Sequence, residues 1–456
     1  METVTSHVVA FQGDGAGAEE LTWGQRDVWD LMRRTGRTMN IGGAVRAGDG
    51  ETVEGVAAVL RFLVGRHQAL RTRLSPVDGG PPRQVVSASG EIALEVVDVV
   101  DDEPDLVAER LRVRYQTTPF DPFAEWPVRM AVVRSGGTLT HVVVMYYHVV
   151  VDGFGINAIV RDLARLDPAT GLAAAPAEGT QPLDLARRQR APEALRQSGK
   201  SLRYWQRQLL RVPPAPVPST PPDGPRFREI VCVSPALALA VRRLSARTRV
   251  ASGPILLAAY AVATARLTGA ATAVVQVVVS NRFRPGFADA VGSLRQFGLC
   301  VIDVGGPFEE VVARAWSAAI GAYKHGYYDT AAHQSLVAGR ESDLSCYLND
   351  RRMETRADDA AADPPDGDVE AALPLTKLDW GVHEETYDGS LYLHVEDTAD
   401  AVDAVDAVDA VMFTLWGDTH RYPPEALLRC ARDIEAVVVD PFRSRGPRRT
   451  SGPPPR

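Results

Sequence analysis

Cysteine is scarce: only Cys232, Cys300, Cys346 and Cys430 occur in 456 residues, none in a Cys-x-x-Cys pair. That excludes a cysteine-based metal centre and a thioredoxin-type redox motif. It points to a reducing compartment where thiols pack as small apolar groups. Residues 1–20 lack the charged start and apolar run of a signal peptide. Apolar stretches elsewhere are broken by charge or glycine too soon to span a bilayer. An excess of positive charge is lacking as well. With 50 Lys and Arg against 58 Asp and Glu, the net charge is -8, which argues against nucleic acid as a partner. The expectation is a cytoplasmic protein with no membrane contact, no nucleic-acid partner and no metal.

What is present is an ordinary globular composition, 45% hydrophobic and 24% charged, in a chain long enough for two or three domains. Thr22 is placed to cap a helix carrying Val28, Trp29 and Met32, and Thr52 a second one carrying Val53, Val56, Leu60, Leu63 and Val64. A strand is expected at residues 71–74. Valine-rich segments at 128–134 and 140–147, joined through Ser135-Gly136-Gly137, predict a hairpin. Ile156, Ile159, Val160 and Leu163 then fall at helical spacing. Residues 184–225 read as a crossover with one helix near Leu202–Leu209. Beyond it the same grammar returns: a helix at 255–267, strands near 272–279, 345–348, 377–382, 391–395 and 412–415, and a last helix at 424–438. Residues 357–368, the Asp-Ala-Val repeat at 400–409 and the basic tail from 443 read as poorly ordered.

Chemistry concentrates in the loop from His148 to Gly155. His148 ends an apolar strand, Asp152 follows four residues later, and Gly153 and Gly155 permit a sharp entry into a helix. An imidazole at a strand end facing a helix N-terminus is well placed as a base, because free N–H groups nearby can stabilise an oxyanion. The alternative is a core histidine satisfied by a backbone carbonyl. Asp152 is expected to turn inward, where a carboxylate needs a cation or several donors.

The pattern Tyr147-His148-Val149-Val150-Val151-Asp152-Gly153 resembles the His-His-x-x-x-Asp-Gly motif of condensation domains of nonribosomal peptide synthesis, with Tyr147 in place of the first histidine. Other segments fit the same family in its order. Leu21-Thr22-Trp23-Gly24-Gln25-Arg26-Asp27-Val28-Trp29 resembles its opening helix, and Arg66-His67-Gln68-Ala69-Leu70-Arg71-Thr72-Arg73 its Arg-His-Glu-Ala-Leu-Arg-Thr-Arg. Pro119-Phe120-Asp121 precedes the active-site hairpin, Tyr204-Trp205 with Leu209 fits the crossover, and Ser280-Asn281-Arg282-Phe283-Arg284-Pro285 fits Asn-Arg-x-Arg-Pro. Thr376-Lys377-Leu378-Asp379 fits a late strand. Two segments depart. The family's Ile-Gly-x-Phe-Val-Asn-Thr reads Val291-Gly292-Ser293-Leu294-Arg295-Gln296-Phe297, and its late His-Gln is at best shadowed by His333-Gln334.

The resemblance implies an α/β (α+β) fold of two chloramphenicol acetyltransferase-like lobes, residues 1–183 and 184–456, in a V-shaped pseudo-dimer with a central tunnel. It implies His148, Asp152 and Gly153 as the catalytic motif, and Tyr147 and Arg282 as structural support, with Arg282 clamping Asp152. Ser293, Gln296, Asn349 and Trp380 are candidates to line the substrate path. His325, Tyr327 and Tyr328 line it or form a surface turn. Arg187, Arg188 and Arg190 dock an acidic carrier protein or are a solvated face. No cofactor is expected to be bound. The donor would arrive as an acyl thioester on the 4'-phosphopantetheine of a carrier protein, and a small-molecule amine or hydroxyl would accept it. No adenylation or carrier segment is apparent, so the chain reads as free-standing. Two other readings stand beside this one: a coenzyme A-dependent O- or N-acyltransferase of the same fold, and a non-catalytic domain that recruits a carrier protein or a tailoring enzyme.

Overall fold

A computed structural model describes residues 2–100, 102–167, 172–173, 175–213, 224–340, 342–352, 366–397 and 410–443. The segment 357–365, the repeat at 400–409 and the tail from 444 lie outside the described residues. The first half runs β1 (Glu2–Gln12), β2 (Gly17–Glu20), α1 (Trp23–Thr35), β3 (Asn40–Arg46), α2 (Val53–Arg66), β4 (Thr72–Ser75), β5 (Arg83–Val86), β6 (Ser89–Val99), α3 (Pro104–Thr117), β7 (Val128–Ser135), β8 (Thr138–Tyr147), α4 (Gly153–Leu163), β9 (Leu166–Asp167), β10 (Leu172–Ala173), α5 (Pro182–Gln189) and α6 (Pro192–Leu209). The second half runs β11 (Phe227–Ser234), α7 (Pro235–Thr248), α8 (Ser252–Thr268), β12 (Thr272–Val279), β13 (Gln296–Asp303), α9 (Phe308–Lys324), α10 (Thr330–Val337), β14 (Cys346–Asp350), α11 (Asp366–Ala372), β15 (Lys377–Glu384), β16 (Leu391–Asp397), β17 (Val411–Asp418) and α12 (Pro424–Val439).

The chain divides into two compact units. The first comprises Met1–Leu202 with Ser280–Gln296 and Tyr327–Ala338. The second comprises Arg203–Val279, Phe297–Gly326 and Gly339–Arg456. The division therefore falls after Leu202 rather than at 183/184, and two later segments return to the first unit. One of them carries Arg282. That residue was expected in the second lobe, but its contacts with Asp152 and Gly292 place it with the first unit.

In the first unit, β1, β6, β7, β8 and β3 form one sheet in that order. All its pairings are antiparallel except β6 with β7. One face buries Val97, Val133, Val143 and Met145 with Val107, Leu111 and Tyr115 of α3. The other buries Leu94, Met130 and Tyr146 with Leu60 and Leu63 of α2 and Ile159 of α4. The helix starts follow the expected chemistry: Thr22 forms a capping box with Gln25, and the Thr52 hydroxyl accepts from the Gly55 amide at 3.0 Å. The turn between β7 and β8 uses Gly136 and Gly137 at φ 58° and 84°, where residues other than glycine are strained.

The second unit has a seven-stranded sheet, β13-β12-β14-β16-β17-β11-β15. Its core joins Val275, Val277, Leu393, Phe413 and Leu415 to helices α7, α8, α9 and α12. Helix α8 is buried along most of its length, which accounts for its apolar sequence. Among the described residues no single helix is long and apolar enough to cross a membrane.

Candidate active site

Strand β8 delivers His148. Its last residue, Tyr147, donates its amide to the Pro127 carbonyl, and the His148 amide donates to the Met39 carbonyl just before β3. These bonds fix the backbone on both sides of the imidazole. The chain then turns through Val149, Val150 and Val151, all buried, and α4 begins at Gly153. The loop therefore runs from His148 to Asp152, shorter than expected. Neither Gly153 nor Gly155 has a positive φ. Gly155 instead serves close packing, since a Cβ there would lie 3.1 Å from the Gly292 carbonyl and from a Val151 methyl.

The half-buried His148 ring has its Nδ1 2.9 Å from the Val151 carbonyl. A carbonyl only accepts, so Nδ1 carries the proton and Nε2 presents a lone pair. Among the described residues Nε2 makes no hydrogen bond. The backbone carbonyl that would satisfy a core histidine is thus present, and it sets the tautomer a base requires. Burial depresses the His148 pKa to about 4, helped by the positive charge of Arg295 and opposed by Asp152. The ring is therefore neutral at physiological pH.

Asp152 turns away from that lone pair and caps α4, accepting from the Gly155 amide at 2.7 Å. Arg282 Nη2 donates to the same carboxylate at 2.5 Å, and the Leu294 amide donates to its other oxygen at 2.8 Å. The pair is buried, with 10% of the Arg282 side chain and 4% of that of Asp152 exposed. Nη1 donates to the carbonyls of Phe287 and Ala290, and Nη2 donates also to that of Gly292. Asn281, at φ 60°, bonds Leu294, and its side-chain oxygen accepts from Arg284. The Asn-Arg-x-Arg segment thus holds the 291–295 stretch against the active-site loop.

The remaining candidates are dispersed. Tyr147 is buried against Phe120, ring centroids 5.6 Å apart, and burial pushes its phenol up. Ser293 is buried and its hydroxyl has no partner among the described residues. The Gln296 amide is bonded to the Tyr328 backbone and to Thr330, so it braces the 327–330 segment. Asn349 on β14 and Trp380 on β15 belong to the second unit, where Arg228 stacks 3.8 Å over the Trp380 ring. Tyr327 and Tyr328 are packed, the latter fully buried, and His325 stacks on Tyr204. Arg187 and Arg190 pair with Glu19, and Arg188 bonds Thr180. Among the described residues no group of His, Cys, Asp and Glu is placed to hold a metal ion.

Two contributors were not expected. Arg295 pairs with Asp27 of α1 at 3.1 Å, and Gly24 of α1 passes so close to Ser293 that a Cβ would lie 2.2 Å from its carbonyl oxygen. The signal for Arg295 was a cation at an otherwise apolar position of the motif. Because backbone cannot yield as a side-chain tip does, Gly24→Ala is expected to cost roughly 1–3 kcal/mol, as overpacking does. A denaturant midpoint equal to wild type would show that the contact relaxes freely.

A condensation domain family model matches residues 25–334, and the chain belongs to that family. It is 30% identical over 295 residues to phosphinothricin tripeptide synthetase PhsC of Streptomyces viridochromogenes, covering 61% of this chain and 27% of that protein. The chain spans between 2% and 27% of the length of the curated relatives it matches. Among solved structures it resembles the condensation domain that mediates chain release from the enacyloxin polyketide synthase, at a TM-score of 0.70 and 18% identity, covering 94% of this chain and 83% of that one. It also resembles the X-domain of teicoplanin biosynthesis in its complex with OxyB, at a TM-score of 0.68 and 20% identity, covering 95% and 96%. These likenesses establish the mixed α/β, chloramphenicol acetyltransferase-like fold. Condensation domains of nonribosomal peptide synthetases are acyltransferases that form amide or ester bonds, act on carrier-bound substrates and need no cofactor of their own.

Proposed function

We propose that this chain is a condensation-type acyltransferase that moves an acyl group from a carrier-protein phosphopantetheine thioester to an amine or hydroxyl acceptor. The observation that carries the reading is His148, neutral, with Nδ1 tied to the Val151 carbonyl and Nε2 presenting its lone pair. In this reading the acceptor N–H or O–H gives its proton to Nε2 as the acceptor atom bonds the thioester carbonyl carbon. The C–S bond then breaks, and the departing thiolate takes the proton back from the imidazolium. The amides of Gly153 and Phe154 at the α4 N-terminus make no hydrogen bond among the described residues and are the available donors to the intermediate oxyanion. Asp152 and Arg282 aim the loop and touch no substrate.

The test is direct transfer. The purified chain is mixed with acyl-loaded carrier proteins or with acyl-coenzyme A, together with a panel of amines and alcohols, and products are read by mass spectrometry. Transfer from carriers alone supports the proposal, and transfer from coenzyme A alone replaces it with the coenzyme A-dependent reading. No transfer from either donor, together with binding of a carrier or tailoring enzyme, would favour the recruitment reading. Tyr147 in the first motif position and the likeness to an X-domain solved with OxyB lend that reading support.

The depressed His148 pKa carries a further expectation. A free histidine near 6.5 would impose an acid limb on kcat/KM close to pH 6.5. Here the limb is expected at about pH 4. Folding favours the neutral ring, so this contribution to stability is complete above about 6.5 and is lost as pH falls from there towards 4. An acid limb at 6.5 in the rate profile would show that the ring titrates as if in water.

A further inference from the structure

Helix α9 (Phe308–Lys324) has two apolar faces. Its packing face puts Val311, Val312, Ala315, Ala319 and Ala322 into the core of the second unit. A Cβ at Gly321 would lie 2.8 Å from the Tyr204 hydroxyl oxygen, so the helix is seated closely and its outer side is fixed. That outer side is apolar as well. Ala313, Trp316, Ile320 and Tyr323 follow at spacings of three, four and three residues, all exposed. Trp316, Ile320 and Tyr323 are 45%, 50% and 39% exposed. Single exposed apolar residues are ordinary, whereas a stripe of large ones marks a surface that another molecule covers. The alternation of three and four is that of a helix–helix seam, and tryptophan and tyrosine carry much of the energy of such contacts.

Charge and shape along α9 itself select the occupant. Its first turn carries Glu309 and Glu310, and its last residue is Lys324, all exposed. Glu309 pairs with Arg247 and Glu310 lies 3.7 Å from Arg314, yet 48% and 64% of the two acidic side chains remain in solvent. Two α9 helices laid antiparallel set each acidic start against the other's basic end and oppose their macrodipoles. Laid parallel, they would stack like charge on like. A two-fold axis between Trp316 and Ile320 also fits the side chains. Trp316 then meets the partner's Ile320, and the small Ala313 meets the partner's large Tyr323, each contact occurring twice by symmetry.

We propose that the outward face of α9 is a self-association surface, and that its occupant is α9 of a second copy of this chain, antiparallel across a two-fold axis. The inference stands apart from the reading of His148. A single helix seam is small against the roughly 1,000 Å² that a stable interface buries, so the dimer is weak and forms at micromolar concentrations.

The test uses the full chain. Sedimentation through a micromolar concentration series should show the mass rising from monomer towards dimer. Trp316→Glu should raise the dimer dissociation constant at least ~10-fold and leave the circular dichroism spectrum unchanged. Lys324→Glu should weaken association without touching the seam, and adding Glu310→Lys to it should restore association. Orientation is read by cross-linking under mild oxidation, with wild type as the control. Ser317→Cys, beside the axis, should yield a covalent dimer, and Glu309→Cys, at the far end of the helix, should not. A chain that stays monomeric throughout the series overturns the proposal. So does a dimer indifferent to Trp316→Glu, or a cross-link at Glu309→Cys. If Trp316→Glu does not fold, Lys324→Glu decides alone: weaker association supports the dimer, and unchanged association overturns it. Protection of α9 from hydrogen exchange by an added carrier protein, in a chain that stays monomeric, assigns the face to that occupant and overturns the dimer too.

Discussion

His148→Ala is expected to lower acyl transfer at least ~10²-fold while leaving the denaturant midpoint nearly unchanged. General-base assistance is typically worth ~10²–10⁴ in rate, and the ring is the group whose Nε2 lone pair makes no hydrogen bond among the described residues. An amine acceptor should lose less than a hydroxyl acceptor, since an α-amino group with a pKa near ~8 is already partly neutral at physiological pH. Little stability is at risk, because the ring is half-buried and its hydrogen bond to Val151 closes a local turn. The strand end is held by backbone bonds to Pro127 and Met39, which alanine keeps. Wild-type rates in the alanine variant, measured with a genuine donor and acceptor, would remove His148 from the mechanism.

Asp152→Ala is expected to behave in the opposite way on stability. It strands the Arg282 charge in a buried setting and leaves the Leu294 and Gly155 amides without their acceptor. Removing one partner of a buried pair costs about 3–5 kcal/mol, and loss of the helix cap adds about 1 kcal/mol. Arg282→Ala should cost a similar amount, because it leaves a buried carboxylate and three backbone carbonyls short of a donor. In the double variant the two losses should fall well below their sum, since each single change already removes the shared interaction. Both variants should lose activity through a misaimed loop. Additive losses in a denaturant-based cycle would show that the pair is not the unit that holds the loop.

Much of the fold was legible before any coordinates. The Thr22 and Thr52 caps, the β7–β8 hairpin and helix α4 all carry local signals of period or turn chemistry. The strands near 272–279, 377–382, 391–395 and 412–415 appear as β12, β15, β16 and β17. Other elements were not expected. Edge strand β1 buries only Val9 and Phe11, so half of its alternation faces solvent and resembles a polar leader. Strand β6 carries a period of two in Ile92, Leu94 and Val96 and is absent from the expected strands. Strand β13 is buried along seven of its eight residues, so it has no alternation to read. Helix α6 begins at Pro192, ten residues before the expected start, because its first two turns are polar.

The loop with its histidine and its aspartate could be written down from residue types and their order, and the pairing of that aspartate with Arg282 was implied by the family resemblance. A strand that ends in a histidine and hands over to a capped helix is a local pattern, and local patterns survive in a linear sequence. The tertiary structure alone decided which tautomer His148 adopts, since that depends on the direction in which the Val151 carbonyl points. It also decided that the Arg282 segment packs with the first unit, and that Arg295 finds Asp27 at a separation of 268 residues. Contacts at such separations follow from how strands and helices pack and leave no period in the sequence. Of the two charges that act on the imidazole, Arg295 comes from such a contact and Asp152 from the loop itself.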